Sequence, residues 1–177
     1  MGLAEGSVDV TIGLMVVVKE AQLSVRNAWL ELATEVADLF EADMANDPSF
    51  HQYIERVVAS HQAFAAYADA DVAGIVTISR RRNCIAWLAV FERFRNRGIG
   101  TELLRHAIRH LDTGRDIEVV TFRPGTLQGE PARNLYLRCG FRDKDPAFEH
   151  DGRPRCLMAL SPNSDDTGID LICPNQD

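Results

Sequence analysis

The sequence predicts an α+β, or mixed α/β, fold. Three observations carry that prediction. Seven short apolar or β-branched runs are bounded by turn residues, and four segments have helical apolar spacing. Their order is β-α-α-β-β-β-α-β-α-β-β. At 177 residues, 46% hydrophobic and 25% charged, the chain is large enough for one domain with a real core. We expect that domain over residues 1–160 and a loose, polar, acidic tail over 161–177.

Each element has its own signal. Residues 8–18 are β-branched and apolar and read as the first strand. From Glu20 to Met44, Leu23, Ala28, Leu30, Ala33, Val36, Ala37 and Phe40 have helical spacing. Asn46-Asp47-Pro48 stops that helix and starts another, with Asp47 suited to the cap and Pro48 to the first turn, running to His61. Ala63–Ala68 and Val72–Ser79 read as a hairpin about Asp69-Ala70-Asp71, and Arg80 to Asn83 as a charged turn. Cys84–Val90 is apolar at nearly every position, as a strand buried on both faces would be. Ile99, Leu103, Leu104, Ala107, Ile108 and Leu111 mark one helix face. Ile117–Phe122 is a strand, and 123–131 a loop with two glycines and two prolines. Ala132–Cys139 is a short helix ended by Gly140. Phe141–Phe148 and Arg155–Leu160 are the last strands, around an Asp151-Gly152 turn.

The net charge of −7 is unevenly spread. Residues 1–79 hold 3 Lys/Arg against 12 Asp/Glu, residues 80–160 hold 16 against 10, and residues 161–177 hold none against 4. A basic middle suits an anionic cofactor, and an acidic flank suits a cationic acceptor. The acidic total argues against nucleic-acid binding. Cys84, Cys139, Cys156 and Cys173 form no C-x-x-C pair. The apolar run Val10–Val18 is too short to span a bilayer and lacks a basic region before it. We therefore expect a cytoplasmic protein with reduced thiols and no membrane partner. Glu102, His106 and His110 share a helix face, but without a further firm ligand we expect a solvated face and no metal.

The segment Arg95-Asn96-Arg97-Gly98-Ile99-Gly100-Thr101 lies between an apolar strand and an amphipathic helix. Glycines let backbone N–H groups approach a phosphate, and the helix directs its positive dipole end at the same place. Arg95 and Arg97 add charge that matches a pyrophosphate. A dinucleotide fingerprint would need a third glycine where Leu103 stands, and a P-loop would need Gly-Lys-Ser/Thr.

Together with the preceding Leu88-Ala89-Val90, this segment resembles the acyl-CoA pyrophosphate loop of the GNAT superfamily of N-acetyltransferases, written R/Q-x-x-G-x-G/A after a strand ending L-x-V. A second segment, Pro131-Ala132-Arg133-Asn134-Leu135-Tyr136-Leu137-Arg138-Cys139-Gly140-Phe141, is similar to the family's A-x-x-L/F-Y-x-x-x-G-F stretch. The resemblance implies a central, mostly antiparallel sheet of six to seven strands, splayed at the cofactor site and flanked by about four helices.

It also implies a function. Acetyl-CoA would be the cosubstrate, and a primary amine of a small molecule or peptide would attack it directly in a ternary complex. By resemblance, Leu88, Ala89 and Val90 offer backbone groups from a bulged strand to the pantetheine arm, and one N–H polarises the thioester carbonyl. Residues 95–101 hold the pyrophosphate, and Asn134 presents its amide to the CoA arm. Tyr136 is the general acid that protonates the leaving thiolate; a phenol near pKa 10 can donate to a thiolate near 8.5 through a short hydrogen bond. Homodimers are common in the family, so the resemblance leaves a homodimer open.

The departures are specific. Glu92 replaces the frequent proline after the valine, and Gly129 stands where an asparagine is frequent. Asn83 and Cys84 occupy the place of a glutamate that often serves as general base, so the sequence names no base. Two alternatives stay open. One is a non-catalytic acyl-CoA-binding sensor of the same fold, and the other is a nucleotide-binding α/β domain.

Overall fold

The computed structural model describes residues 15–162. The first strand, β1 (Val16–Glu20), is the described end of the run expected over 8–18; positions 8–14 lie outside the described residues. The single helix expected from Glu20 to Met44 is broken. A 3-10 turn at Leu23–Val25 leads into α1 (Arg26–Glu35), and α2 (Ala37–Phe40) follows. The break falls at Val36, which leaves helical space at φ −100° and ψ 9° while its side chain stays buried. Glu41 then turns left-handed, with φ 51°. At the far end of α2, Arg153 donates to the carbonyl oxygens of Phe40 and Glu41 and holds the helix terminus. Among the described residues the count of α-helices therefore rises to five.

Local signals set the next elements. α3 (Pro48–Ala59) starts as expected, with Asp47 Oδ1 accepting from the Ser49 N–H at 2.8 Å. β2 (Ala63–Ala68), β3 (Asp71–Ser79) and β4 (Cys84–Val90) form an antiparallel meander. α4 (Ile99–Ile108) buries Ile99, Leu103, Leu104, Ala107 and Ile108. β5 (Ile117–Thr121) follows, and then α5 (Glu130–Arg138), which starts before Ala132 and takes Pro131 into its first turn. β6 (Arg142–Asp145) is shorter than the expected Phe141–Phe148 strand. Its pairing shifts between Asp143 and Asp145, and Asp145 Oδ1 accepts from the Ala147 N–H at 3.0 Å, which turns the chain away. β7 (Glu149–His150) and β8 (Arg153–Pro154) make a small hairpin, and β9 (Cys156–Leu160) returns to the sheet.

Seven strands form one mostly antiparallel sheet in the order β1-β2-β3-β4-β5-β9-β6. α1 and α3 cover one face, where Trp29 and Phe50 pack on Trp87 with ring centroids 5.8 and 6.3 Å away. Val90, on the opposite face of the same strand, lies against Gly74 and the helix α4. Burial of these apolar side chains between helices and sheet is the main source of stability.

The sheet opens in the middle. β4 and β5 pair in parallel only at Cys84↔Glu118 and Ile85↔Val119. Just beyond, Thr77 faces Trp87 while Ile78 faces Ile85, so Ala86 is the extra residue of a bulge. β4 and β5 part from there. This corrects the expectation that β4 is buried on both faces: Ala86 is exposed and Leu88 and Val90 are half-buried, because they face the opening.

Candidate functional site

The opening between β4 and β5 is a cleft of about 340 Å³. Leu88, Ala89 and Val90 form one wall, and Val119, Val120, Thr121 and Phe122 form the other. Arg95, Asn96, Gly98, Ile99, Gly100 and Thr101 close one end, and Tyr136 with Leu135 comes from α5. These include ten of the twelve residues that the sequence singled out. The other two, Arg97 and Asn134, lie outside the lining. Arg97 is exposed, with its guanidinium 5.9 Å from the Phe94 ring centre, and Asn134 is on the exposed face of α5.

The loop's shape follows from its residues. A 3-10 turn at Glu92–Phe94 buries Phe94 and is held by Glu35, whose Oε1 accepts from the Glu92 N–H at 2.6 Å. Asn96 and then Gly98 take left-handed conformations at φ 60° and 75°, so the chain reverses into α4. Gly98 caps the helix without a side-chain hydrogen bond, and the first N–H spent inside the helix is that of Glu102. The N–H groups of Ile99, Gly100 and Thr101 therefore stay available at the positive end of the dipole, beside the cleft. Gly100 is also a packing requirement, because a Cβ there would stand 3.1 Å from Leu135 of α5. Arg95 turns inward: its Nε donates to the Val90 carbonyl at 3.2 Å, and Glu35 lies 4.0 Å from its guanidinium.

Tyr136 is 5% exposed and stacks edge-on to Phe141, 5.5 Å between ring centres. Among the described residues its hydroxyl has no hydrogen-bond partner, although it borders the cleft. Burial pushes the phenol well above its usual pKa range, and nearby Cys139 adds to that. The helix that carries it is fastened by Arg133, whose guanidinium reaches the Phe122 carbonyl at 3.2 Å and both oxygens of Asp143 at 2.9 and 3.0 Å.

Several lining residues had no signal in the sequence. Val36, Leu39 and Phe40 from the α1–α2 bend, with Ile85 and Trp87, make the α2 side of the cleft apolar and aromatic. Phe40 stacks on Trp87 at 6.0 Å. Arg155 joins the same lining, 5.2 Å above the Phe122 ring. No Asp or Glu of the described residues lines the cleft. Glu92 is likewise outside it. Asn83 is a structural residue: its side chain donates to the Asp112 and Asp116 carbonyls at 2.8 and 2.9 Å and accepts from the Asp112 N–H at 2.8 Å. Arg80 sits in the expected charged turn and donates to the Ser60 and His61 carbonyls. His106 and His110 stack with Phe64 rather than converging on an ion, and no group of metal-binding side chains occurs among the described residues.

Residues 59–143 match the family model described as the acetyltransferase (GNAT) domain, and that span contains β4, the glycine loop and the Tyr136 helix. The chain carries a GNAT acetyltransferase domain. Solved structures agree on the fold of the GNAT domain. A GNAT-family acetyltransferase from Bacillus cereus has a TM-score of 0.66 at 16% identity, covering 83% of this chain and 97% of that one. The diaminobutyrate acetyltransferase of Paenibacillus lautus, solved with its substrate and coenzyme A, has a TM-score of 0.61 at 18% identity, covering 88% and 100%. The paia N-acetyltransferase of Thermoplasma acidophilum, solved with coenzyme A, has a TM-score of 0.57 at 14% identity, covering 84% and 99%. No curated protein sequence matches the chain significantly. No helix among the described residues of the GNAT domain and its flanks is long and apolar enough to cross a membrane.

Proposed function

We propose that this domain transfers an acetyl (acyl) group from acetyl-CoA to a primary amine, by direct attack within a ternary complex. The observation that carries the reading is a buried tyrosine bordering a cleft whose opposite wall is a strand freed from its neighbour. The residues present fit the cosubstrate. Uncapped N–H groups at the start of α4 and the Arg95 guanidinium suit a pyrophosphate, and the open edge of Ala86–Val90 suits the amides of a pantetheine arm. Acetyl-CoA supplies an activated thioester and a thiolate leaving group.

The chain's own residues would do the rest. Leu88–Val90 orient the arm through backbone groups, and an N–H there stabilises the oxyanion. Tyr136 holds its proton on Oη and returns it to sulfur. Its raised pKa keeps it protonated, and the same burial raises the basicity of a thiolate beside it, so donor and acceptor stay matched. With no carboxylate or imidazole in the described lining, the amine would enter as its free base or lose its proton to water. Asn134 and Arg97 would contact the cofactor only at its outer portion.

The lack of a side-chain base also favours a second reading, an acyl-CoA-binding sensor that does not turn over. Calorimetric titration with acetyl-CoA, followed by thiol release across a panel of small amines and peptides, separates the two. Binding with release supports the enzyme; binding without release to any amine supports the sensor.

A further inference from the structure

The α2 side of the cleft combines features that point to one kind of acceptor. Its surface is apolar and aromatic, from Val36, Leu39, Phe40 and Trp87. Within it stands one guanidinium, that of Arg155, whose side chain is only 16% exposed. A buried guanidinium needs hydrogen-bond acceptors for a planar fork of five N–H donors. Among the described residues, Arg155 makes one such bond, from Nη1 to the Pro154 carbonyl at 3.2 Å. Its one ion pair among those residues is long and half in solvent: Glu41 Oε1 stands 3.8 Å from Nη2, beyond hydrogen-bond range, and that side chain is 61% exposed, so an incoming carboxylate can compete with it. The Phe122 ring lies below the guanidinium plane and holds it in place. An unpaired donor belongs to Trp87, which is 7% exposed and whose buried indole N–H has no partner among the described residues.

Such a surface disfavours a polycation and favours an apolar molecule carrying an anionic oxygen pair. We propose that this side of the cleft is the acceptor subsite, and that it takes a small amino acid with an apolar or aromatic side chain, its carboxylate paired with Arg155. The inference rests on the acetyltransferase reading for which end of the molecule must reach Tyr136. The carboxylate on Arg155 and the side chain against Phe40 and Trp87 would leave the amino group turned toward the β4–β5 opening. The acceptor then carries a carboxylate beside its amine, unlike the purely cationic acceptor suggested by the acidic first third of the chain.

Binding and turnover test it separately. With coenzyme A saturating, L-phenylalanine and L-phenylalaninamide are titrated calorimetrically, and thiol release from acetyl-CoA is followed with both. The wild type is expected to bind the acid at least about tenfold more tightly than the amide, the effect of one charge-assisted pair. Arg155→Met keeps the stem over Phe122 and should erase that preference without weakening the amide. Glu41→Gln removes the competing carboxylate and should tighten the acid. Equal binding of acid and amide, no binding of either, or a preference that survives Arg155→Met would overturn the proposal. Carboxylate-dependent binding with no thiol release to phenylalanine or to any amine of the panel would refute the enzyme reading but leave the subsite standing. Release that ignores Arg155 would do the reverse.

Discussion

Arg133 and Asp143 form a two-point ion pair, at 2.9 and 3.0 Å, between the helix that bears Tyr136 and the edge strand β6. The Arg133 side chain is 9% exposed and also reaches the Phe122 carbonyl, so one residue fixes α5 both to the end of β5 and to β6. Removing one partner of a buried pair strands the other charge. Arg133→Met should cost about 3 kcal/mol in chemical denaturation, and Arg133→Met with Asp143→Leu distinctly less than the two single changes together.

Gly129 precedes α5 and lies on Phe122. A Cβ there would stand 2.1 Å from the ring's Cγ, close to the backbone of Phe122 and not at a mobile side-chain end. Gly129→Ala should therefore push the start of α5 off β5, at about 1–3 kcal/mol. The cleft wall moves with it, so acetyl-CoA affinity should fall as well. Thermal melts and calorimetry read both effects.

Asn83 occupies the place where a catalytic glutamate was sought. Its three side-chain hydrogen bonds join the β3–β4 turn to the segment entering β5. Asn83→Ala leaves those buried groups unpaired and should lower stability by about 2–3 kcal/mol. At a temperature where the variant is folded, turnover should stay within about twofold of the wild type; a hundredfold loss would restore a catalytic part for this position.

The pH dependence has a definite sign. In the proposed mechanism the active form of Tyr136 is protonated, and burial raises its pKa, so such a donor would stay active as pH rises through the usual phenol value. The amine is active when neutral, which also improves with pH. The acceptor kcat/KM should climb with pH and then level off, with no descending limb below about pH 10. A falling limb near pH 8 would point to a different donor.

Much of this was legible because the relevant interactions are local. The glycine loop, the Asp47 cap, the hairpin turns and the face of α4 are each set by residues within a few positions of one another. What escaped notice is long-range. The end of α2 is held by Arg153, more than a hundred positions later in the chain, at the carbonyls of Phe40 and Glu41. The shortened β6 reflects a pairing shift against β9. Charge counted along the chain does not say which side chains meet at the cleft: Glu35 and Glu41 serve backbone and arginine partners, while the described lining is neutral and basic. Arg155 carried no signal, since a single arginine before a strand has no distinguishing spacing.

The most direct measurement is the turnover of Tyr136→Phe at saturating acetyl-CoA, using the best amine of the panel. The account predicts kcat lower by about a hundredfold or more, the scale of a lost general acid, with acetyl-CoA affinity within about twofold of the wild type. An unchanged kcat with the phenylalanine in place would contradict it.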